Sequence, residues 1–181
     1  MNRAAYVIMT TVASVGVAYA ATLPTPLKLI WNVSASVPVG LYSLEPADHL
    51  EVTDLVAVMP PPPLAAFLIA RGYIGEGTPL LKRVMGLPGQ DVCRLRDAIT
   101  VDGVPLSEAL PRDRVGRDLP VWQGCRRIAP GHLFLMNPNV GDSLDGRYFG
   151  PIPATTVIGR AMPLLTDEAG DGAFVWRAAV R

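Results

Sequence analysis

Histidine, lysine and cysteine are all scarce in this chain. Its 181 residues include two His and two Cys, and the 16 basic residues are fourteen Arg against two Lys. Cys93 and Cys125, with His49 and His132 far from them at non-ligand spacing, cannot build a zinc site or a disulfide framework by themselves. No metal or cofactor is expected. Net charge is missing too, since Lys+Arg and Asp+Glu both number 16. A dedicated nucleic-acid binder carries an excess of basic residues, so no nucleic-acid partner is expected. Only 18% of residues are charged and 50% are hydrophobic, which excludes a disordered chain.

What is present points elsewhere. Gly 17 and Pro 18 supply frequent turn punctuation, which disfavours a helical bundle and suits short strands. Where arginine is so strongly preferred, a retained lysine carries information. Arg stays protonated in a protein, whereas a desolvated Lys can lose its proton. The two lysines are Lys28 and Lys82.

Ala4 to Leu23 is an uncharged run of 20 residues. At ~1.5 Å per residue it matches the ~30 Å hydrocarbon core of a bilayer. Arg3 precedes it and no acidic residue comes before Glu45, so the positive-inside rule leaves the N-terminus in the cytoplasm and exports the rest. Two readings stand: a retained anchor over residues 1–23, or a signal cleaved near Ala18-Tyr19-Ala20. Either way residues 24–181 form an exported domain. In an oxidising compartment Cys93 and Cys125 are expected to pair, with free buried thiols as the alternative in a reducing one.

Pro24, Pro26 and Pro38 break the following segment. Leu29-Ile30-Trp31 suits either a membrane interface or a first strand. Strands are expected at Val52–Met59, Leu80–Met85, His132–Met136 and Thr156–Ile158. A hairpin is expected at Ile99–Val104, turning at Asp102-Gly103. A short helix is expected at Leu64–Arg71, a solvated charged loop at Arg112–Arg117, and a turn at Gly170–Gly172. The fold class is mainly β, of short antiparallel strands, with one N-terminal apolar helix.

Four stretches carry the chemistry: S-A-S-V-P-V-G-L-Y at Ser34–Tyr42, T-D-L-V-A-V at Thr53–Val58, L-L-K-R-V-M-G-L-P-G at Leu80–Gly89, and G-D-S-L-D-G-R-Y-F-G at Gly141–Gly150. In this order they resemble the boxes of the type I signal peptidases, membrane-bound Ser/Lys proteases. The S-V-P-V-G-L-Y form and the single apolar segment are most similar to the TraF-type conjugal transfer peptidases, which mature conjugative pilin.

The resemblance implies a signal-peptidase-like fold and a role for each matching residue. Ser36 matches the nucleophile, which needs a base to take its proton. Lys82 matches that base, and its pKa must fall from ~10.4 toward neutrality, as burial would make it do. Strand alternation puts Lys82 and Val84 on one face, with Leu81 and Arg83 on the other. The Ser36 N–H and Ser34 hydroxyl match the oxyanion donors. Ser143 matches the serine that orients the lysine, and Asp145 with Arg147 an ion pair bracing the site. Asp54 and Asp142 read as turn residues.

The match has departures. Val37 replaces the methionine of the general bacterial enzymes, Gly146 a serine, and Thr53 a glycine before the aspartate. Repressor-type Ser/Lys self-cleaving proteins share the dyad, but they would carry a DNA-binding region at the N-terminus. A Ser-His-Asp arrangement would have to use His49 or His132, neither placed for it.

The implied partners are a precursor with a signal or apolar segment, such as a prepilin, together with the membrane and other conjugation or secretion components. The implied location is the bacterial inner membrane with the domain on its periplasmic face, or the periplasm if the segment is cleaved. A general signal peptidase, and a non-catalytic β-domain of a secretion apparatus, are the alternatives.

Overall fold

The computed structural model describes residues 2–22 and 27–179. Helix α1 (Arg3–Thr22) has no buried side chain and is long and apolar enough to cross a membrane. The expected end of the apolar run at Leu23, and the breaks at Pro24 and Pro26, lie outside the described residues.

Twelve strands and two further α-helices follow among the described residues: β1 (Leu29–Asn32), β2 (Val39–Glu45), β3 (Leu55–Val58), α2 (Pro62–Ala70), β4 (Leu80–Gly86), β5 (Asp91–Leu95), β6 (Ala98–Val101), β7 (Val104–Glu108), β8 (Gly124–Arg127), β9 (His132–Met136), α3 (Gly146–Phe149), β10 (Ile152–Pro153), β11 (Val157–Asp167) and β12 (Val175–Trp176). They form a large sheet in the order β1-β2-β11-β3-β4-β9-β10, with β12 on β11, and a small sheet in the order β7-β6-β5-β8. All the strand pairs are antiparallel. The fold is mainly β with one N-terminal apolar helix.

The centre of the large sheet is buried on both faces, which is why β3 reads as an unbroken apolar run, L-V-A-V. Alternation sends Leu55 and Ala57 into a cluster with Ile30, Val37, Tyr42, Leu44, Leu81 and Ala161. Val56 and Val58 go into another with Val84, Leu133 and Leu135. A third cluster, including Val92, Ile99, Trp122, Ile128 and Phe134, joins the two sheets.

The expected hairpin turns at Asp102-Gly103 between β6 and β7, with Val101 opposite Val104. The expected strand at 132–136 is β9. Three expectations needed correction. The strand at 52–59 is shorter, because Thr53 has φ +81 and leaves extended geometry. Helix α2 starts two residues earlier, since proline fits the first turn of a helix. The strand at 156–158 runs on to Asp167, bulging between Pro163 and Leu165, so that it pairs with both β2 and β3.

Cys93 and Cys125 are disulfide-bonded, as expected, with Cα atoms 4.0 Å apart and directly opposite each other in β5 and β8. The bond closes a long excursion that contains residues 112–117. That stretch is a loop, but it is not simply solvated. Arg117 Nε pairs with Asp113 at 2.7 Å, the Tyr73 hydroxyl donates to the same carboxylate, and the Arg71 and Arg117 guanidinium groups reach Asp118 O and Arg71 O. The loop is thereby tied to the end of α2.

Candidate active site

Ser34 and Ser36 lie on the turn between β1 and β2. Ser36 is half-buried and Val37 is buried, so the apolar anchor of the turn sits beside its polar tip. The box continues into β2 through Gly40, at φ +147, where a Cβ would run into the Leu165 carbonyl of β11. Only glycine lets the two strands approach this closely. Within the turn the Ser34 hydroxyl donates to Ser36 Oγ at 3.1 Å. The Ser36 N–H is directed at Ser34 Oγ at 3.3 Å.

Lys82 sits in the middle of β4, opposite Val56 in the register, and is 6% exposed. Its ammonium donates to Ser143 Oγ at 2.7 Å. Burial pushes its pKa down to about 8, against the pull of the Asp145 charge, and Arg147 adds a smaller lowering. The apolar setting that Leu80, Leu81, Val84 and Met85 would supply is present, with Leu81 and Val84 buried and Leu80 and Met85 half-buried. Val56, which sequence spacing did not point to, completes it.

Ser143 precedes α3, and the residues around it are fixed by one ion pair. Asp145 and Arg147 have fully buried side chains. Arg147 meets the carboxylate with two nitrogens, Nε to Oδ1 at 2.9 Å and Nη2 to Oδ2 at 2.8 Å. The same guanidinium also donates to the carbonyls of Asn137, Val140 and Gly141. Asp145 in turn caps α3 at the Arg147 N–H and accepts the Asn137 N–H. Gly146 stands where the resemblance implied a serine, and the packing explains it: a Cβ there would come within 2.8 Å of Leu135 O.

Ser34, Ser36, Lys82 and Ser143 all line one cavity of about 940 Å³. Its other walls come from the end of α2 and from the 112–117 loop. Arg114 of that loop pairs with Asp142, next to Ser143. A second cavity of about 340 Å³ opens on the other side of Ser36, lined by Arg83, Asn139 and Glu168 among others. Among the described residues no hydrogen bond joins Lys82 to Ser36. The bonds are instead Ser34 to Ser36 and Lys82 to Ser143. Asp54 is a turn residue as expected, accepting the Glu51 N–H at 2.9 Å.

A family model described as signal peptidase, peptidase S26, matches residues 1–165. The chain belongs to the signal peptidase S26 family. Membership assigns it a serine-peptidase function in general terms. It is similar to the conjugal transfer protein TraF of Agrobacterium fabrum, with 39% identity over 148 residues, 76% of this chain and 82% of that one. The plasmid transfer protein TraF of Escherichia coli is 33% identical over 148 residues, 75% of this chain and 81% of that one. A solved signal peptidase I from Enterococcus faecalis V583 is 24% identical at a TM-score of 0.39, over 62% of this chain and 97% of that one. A likeness at that level adds nothing about the site.

Sequence reasoning missed Asn32, Tyr42 and Asn137, all buried polar side chains that hold this site's backbone. The one signal for Asn32 is a polar residue closing an otherwise apolar strand, L-I-W-N.

Proposed function

We propose that this S26 member is a membrane-associated serine endopeptidase in which Ser36 is the nucleophile and Lys82 the general base. Its substrate is an exported precursor cut after small residues, a conjugative prepilin. The observation that carries the reading is Lys82. It is a buried lysine with its pKa lowered to about 8, hydrogen-bonded to Ser143, in the cavity that Ser36 also lines. A lysine in this state is neutral at mildly alkaline pH and can accept the Ser36 proton.

In the reaction, Ser36 Oγ attacks the scissile carbonyl as Lys82 takes its proton. Ser143 and the Asp145–Arg147 pair keep the lysine aimed. The Ser36 N–H and the Ser34 hydroxyl stabilise the oxyanion. For that, Ser34 Oγ turns away from its bond to Ser36, a side-chain rotation on the ps–ns scale. Lys82 then protonates the leaving amine, and a water resolves the acyl-enzyme with Lys82 again as base.

Membrane association draws on two observations. Helix α1 is long and apolar enough to span a bilayer. Beyond it, Leu27, Leu29, Trp31 and Val33 are exposed, as are Phe174 and Trp176, and Trp31 stacks on Phe174 with ring centroids 6.0 Å apart. On this reading residues 1–23 are the anchor and residues 24–181 the peptidase domain on the periplasmic face of the inner membrane.

The non-catalytic alternative draws on the missing Ser36–Lys82 bond. Catalytic hydrogen bonds are often long in a free enzyme and tighten only when substrate is bound, so the missing bond does not count against the dyad. The general signal-peptidase alternative has less support, since the TraF relatives match over three-quarters of the chain. Incubating the detergent-solubilised full chain with prepilin tests the reading. Ser36→Ala and Lys82→Arg are each expected to abolish cleavage in a folded protein. Cleavage by Lys82→Arg, which keeps the charge but cannot accept a proton, would overturn the dyad.

A further inference from the structure

The turn that presents Ser36 has an unusual support. Residues 33–38 make no backbone–backbone hydrogen bond outside the strand ladders among the described residues, and Pro38 has no N–H to give. A turn without such bonds needs another source of rigidity. Asn32, the last residue of β1, supplies it from an 8% exposed position. Its Nδ2 donates to Ser34 O at 2.7 Å, Pro38 O at 3.1 Å and Val37 O at 3.2 Å. Its Oδ1 accepts the Ser34 N–H at 3.1 Å.

These four contacts grip the chain on both sides of Ser36, at residue 34 before it and at residues 37 and 38 after it. Two amide hydrogens serve three carbonyls, so one is shared, and only a primary amide offers both donors and an acceptor at this reach. The Tyr42 hydroxyl adds a bond to Pro38 O at 2.7 Å, but it touches only the far end of the turn. Every hydrogen bond that the Asn32 side chain makes goes to this one turn.

We propose that Asn32 is the positioning residue for Ser36, setting where its hydroxyl and N–H stand relative to Lys82. The inference rests on the reading of Ser36 as nucleophile. A displacement of about 1 Å in a reacting group can cost on the order of 100-fold in rate. Asn32→Asp is nearly isosteric and keeps the acceptor for Ser34, but it sets a carboxylate against three carbonyl oxygens. Asn32→Ala removes the whole grip without adding charge.

The test uses the full chain in detergent and an internally quenched peptide with alanines before the scissile bond. The expected result for both variants is a fall in kcat of about 100-fold, with KM changed by less than about 3-fold. For Asn32→Ala the inflection of the pH profile should not move. Folded fraction is measured on the same samples, and Asn32→Ser replaces either variant that does not fold. A kcat loss no larger than the loss of folded protein, or a rise in KM alone, overturns the inference. If Ser36→Ala is inactive while Asn32→Ala keeps wild-type kcat, the inference falls and the nucleophile reading stands. If Ser36→Ala itself cleaves normally, both fall.

Discussion

Lys82 is a cation held where a cation is disfavoured. Its pKa in the fold is about 8 and returns to ~10.4 when the chain unfolds. Between those values the unfolded chain binds the proton and the folded chain does not, so stability rises with pH across that window. Lys82→Met should therefore stabilise the domain by about 2 kcal/mol more at pH 6.5 than at pH 9.5. Urea unfolding of both proteins at the two pH values measures this, and an equal effect at both would mean that Lys82 is not desolvated. The identities of Lys82, Ser143, Asp145 and Arg147 were legible in the sequence because long contiguous boxes carry them. Asn32 was not. Its partners are carbonyls two to six residues onward, and a contact from a side chain to an irregular turn leaves no periodicity. Arg94 was illegible for a related reason. It is 1% exposed, satisfied by the carbonyls of Arg96, Pro120 and Arg147, and burial of a paired arginine breaks the polar-out pattern by which strands are read.

Strand β4 is locked to the chain just before β3 as well as to β3 itself. The Thr53 N–H donates to Val84 O at 2.7 Å, and the Val84 N–H to Asp54 O at 2.9 Å. The Thr53 carbonyl accepts from Arg83 Nη1 at 3.0 Å. This lock holds Thr53 at φ +81, a region where a β-branched residue is strained. The glycine that the resemblance implied at this position has no such strain. Thr53→Gly should stabilise the protein by about 0.5–1 kcal/mol, the relief exceeding the added freedom of glycine in the unfolded chain. A lower urea midpoint for the variant would contradict the strained reading. Such element ends were the least legible part of the fold. Val52 to Met59 looks uniformly strand-like, and the kink at Thr53 shows only through its bonds to β4. Strands β5 and β8 were missed because Arg94, Arg126 and Arg127 read as solvent-seeking, whereas β9, a plain apolar run, was read at its full length.

At the scale of the whole molecule, an exposed aromatic edge adjoins the site, for Trp31 stacks on Phe174 and lines the same cavity as Ser36. The larger cavity is walled by a loop that the sequence suggested was merely solvated. Residues 112–117 look like a charge run, and only the fold shows that Arg71, Tyr73 and Asp142 are brought to pair with them. On the proposed membrane reading, Leu29 and Phe174 rest at the bilayer surface. Leu29→Ser combined with Phe174→Ser should lower cleavage of a bilayer-embedded precursor several-fold and leave cleavage of a soluble peptide unchanged. Trp31 is kept in this comparison because it also lines the cavity. Equal activity of the variant and the parent on both substrates would remove the surface from the account.

The claim on which the rest depends is that a lysine of lowered pKa activates Ser36. The pH dependence of kcat/KM for the full chain on its precursor tests this most directly. The account predicts activity that rises with pH through an inflection near 8, the pKa of Lys82 in the fold, and a Lys82→Arg variant that is inactive across the range. An inflection near 6.5, where an unperturbed histidine titrates, or an active Lys82→Arg variant, would contradict it.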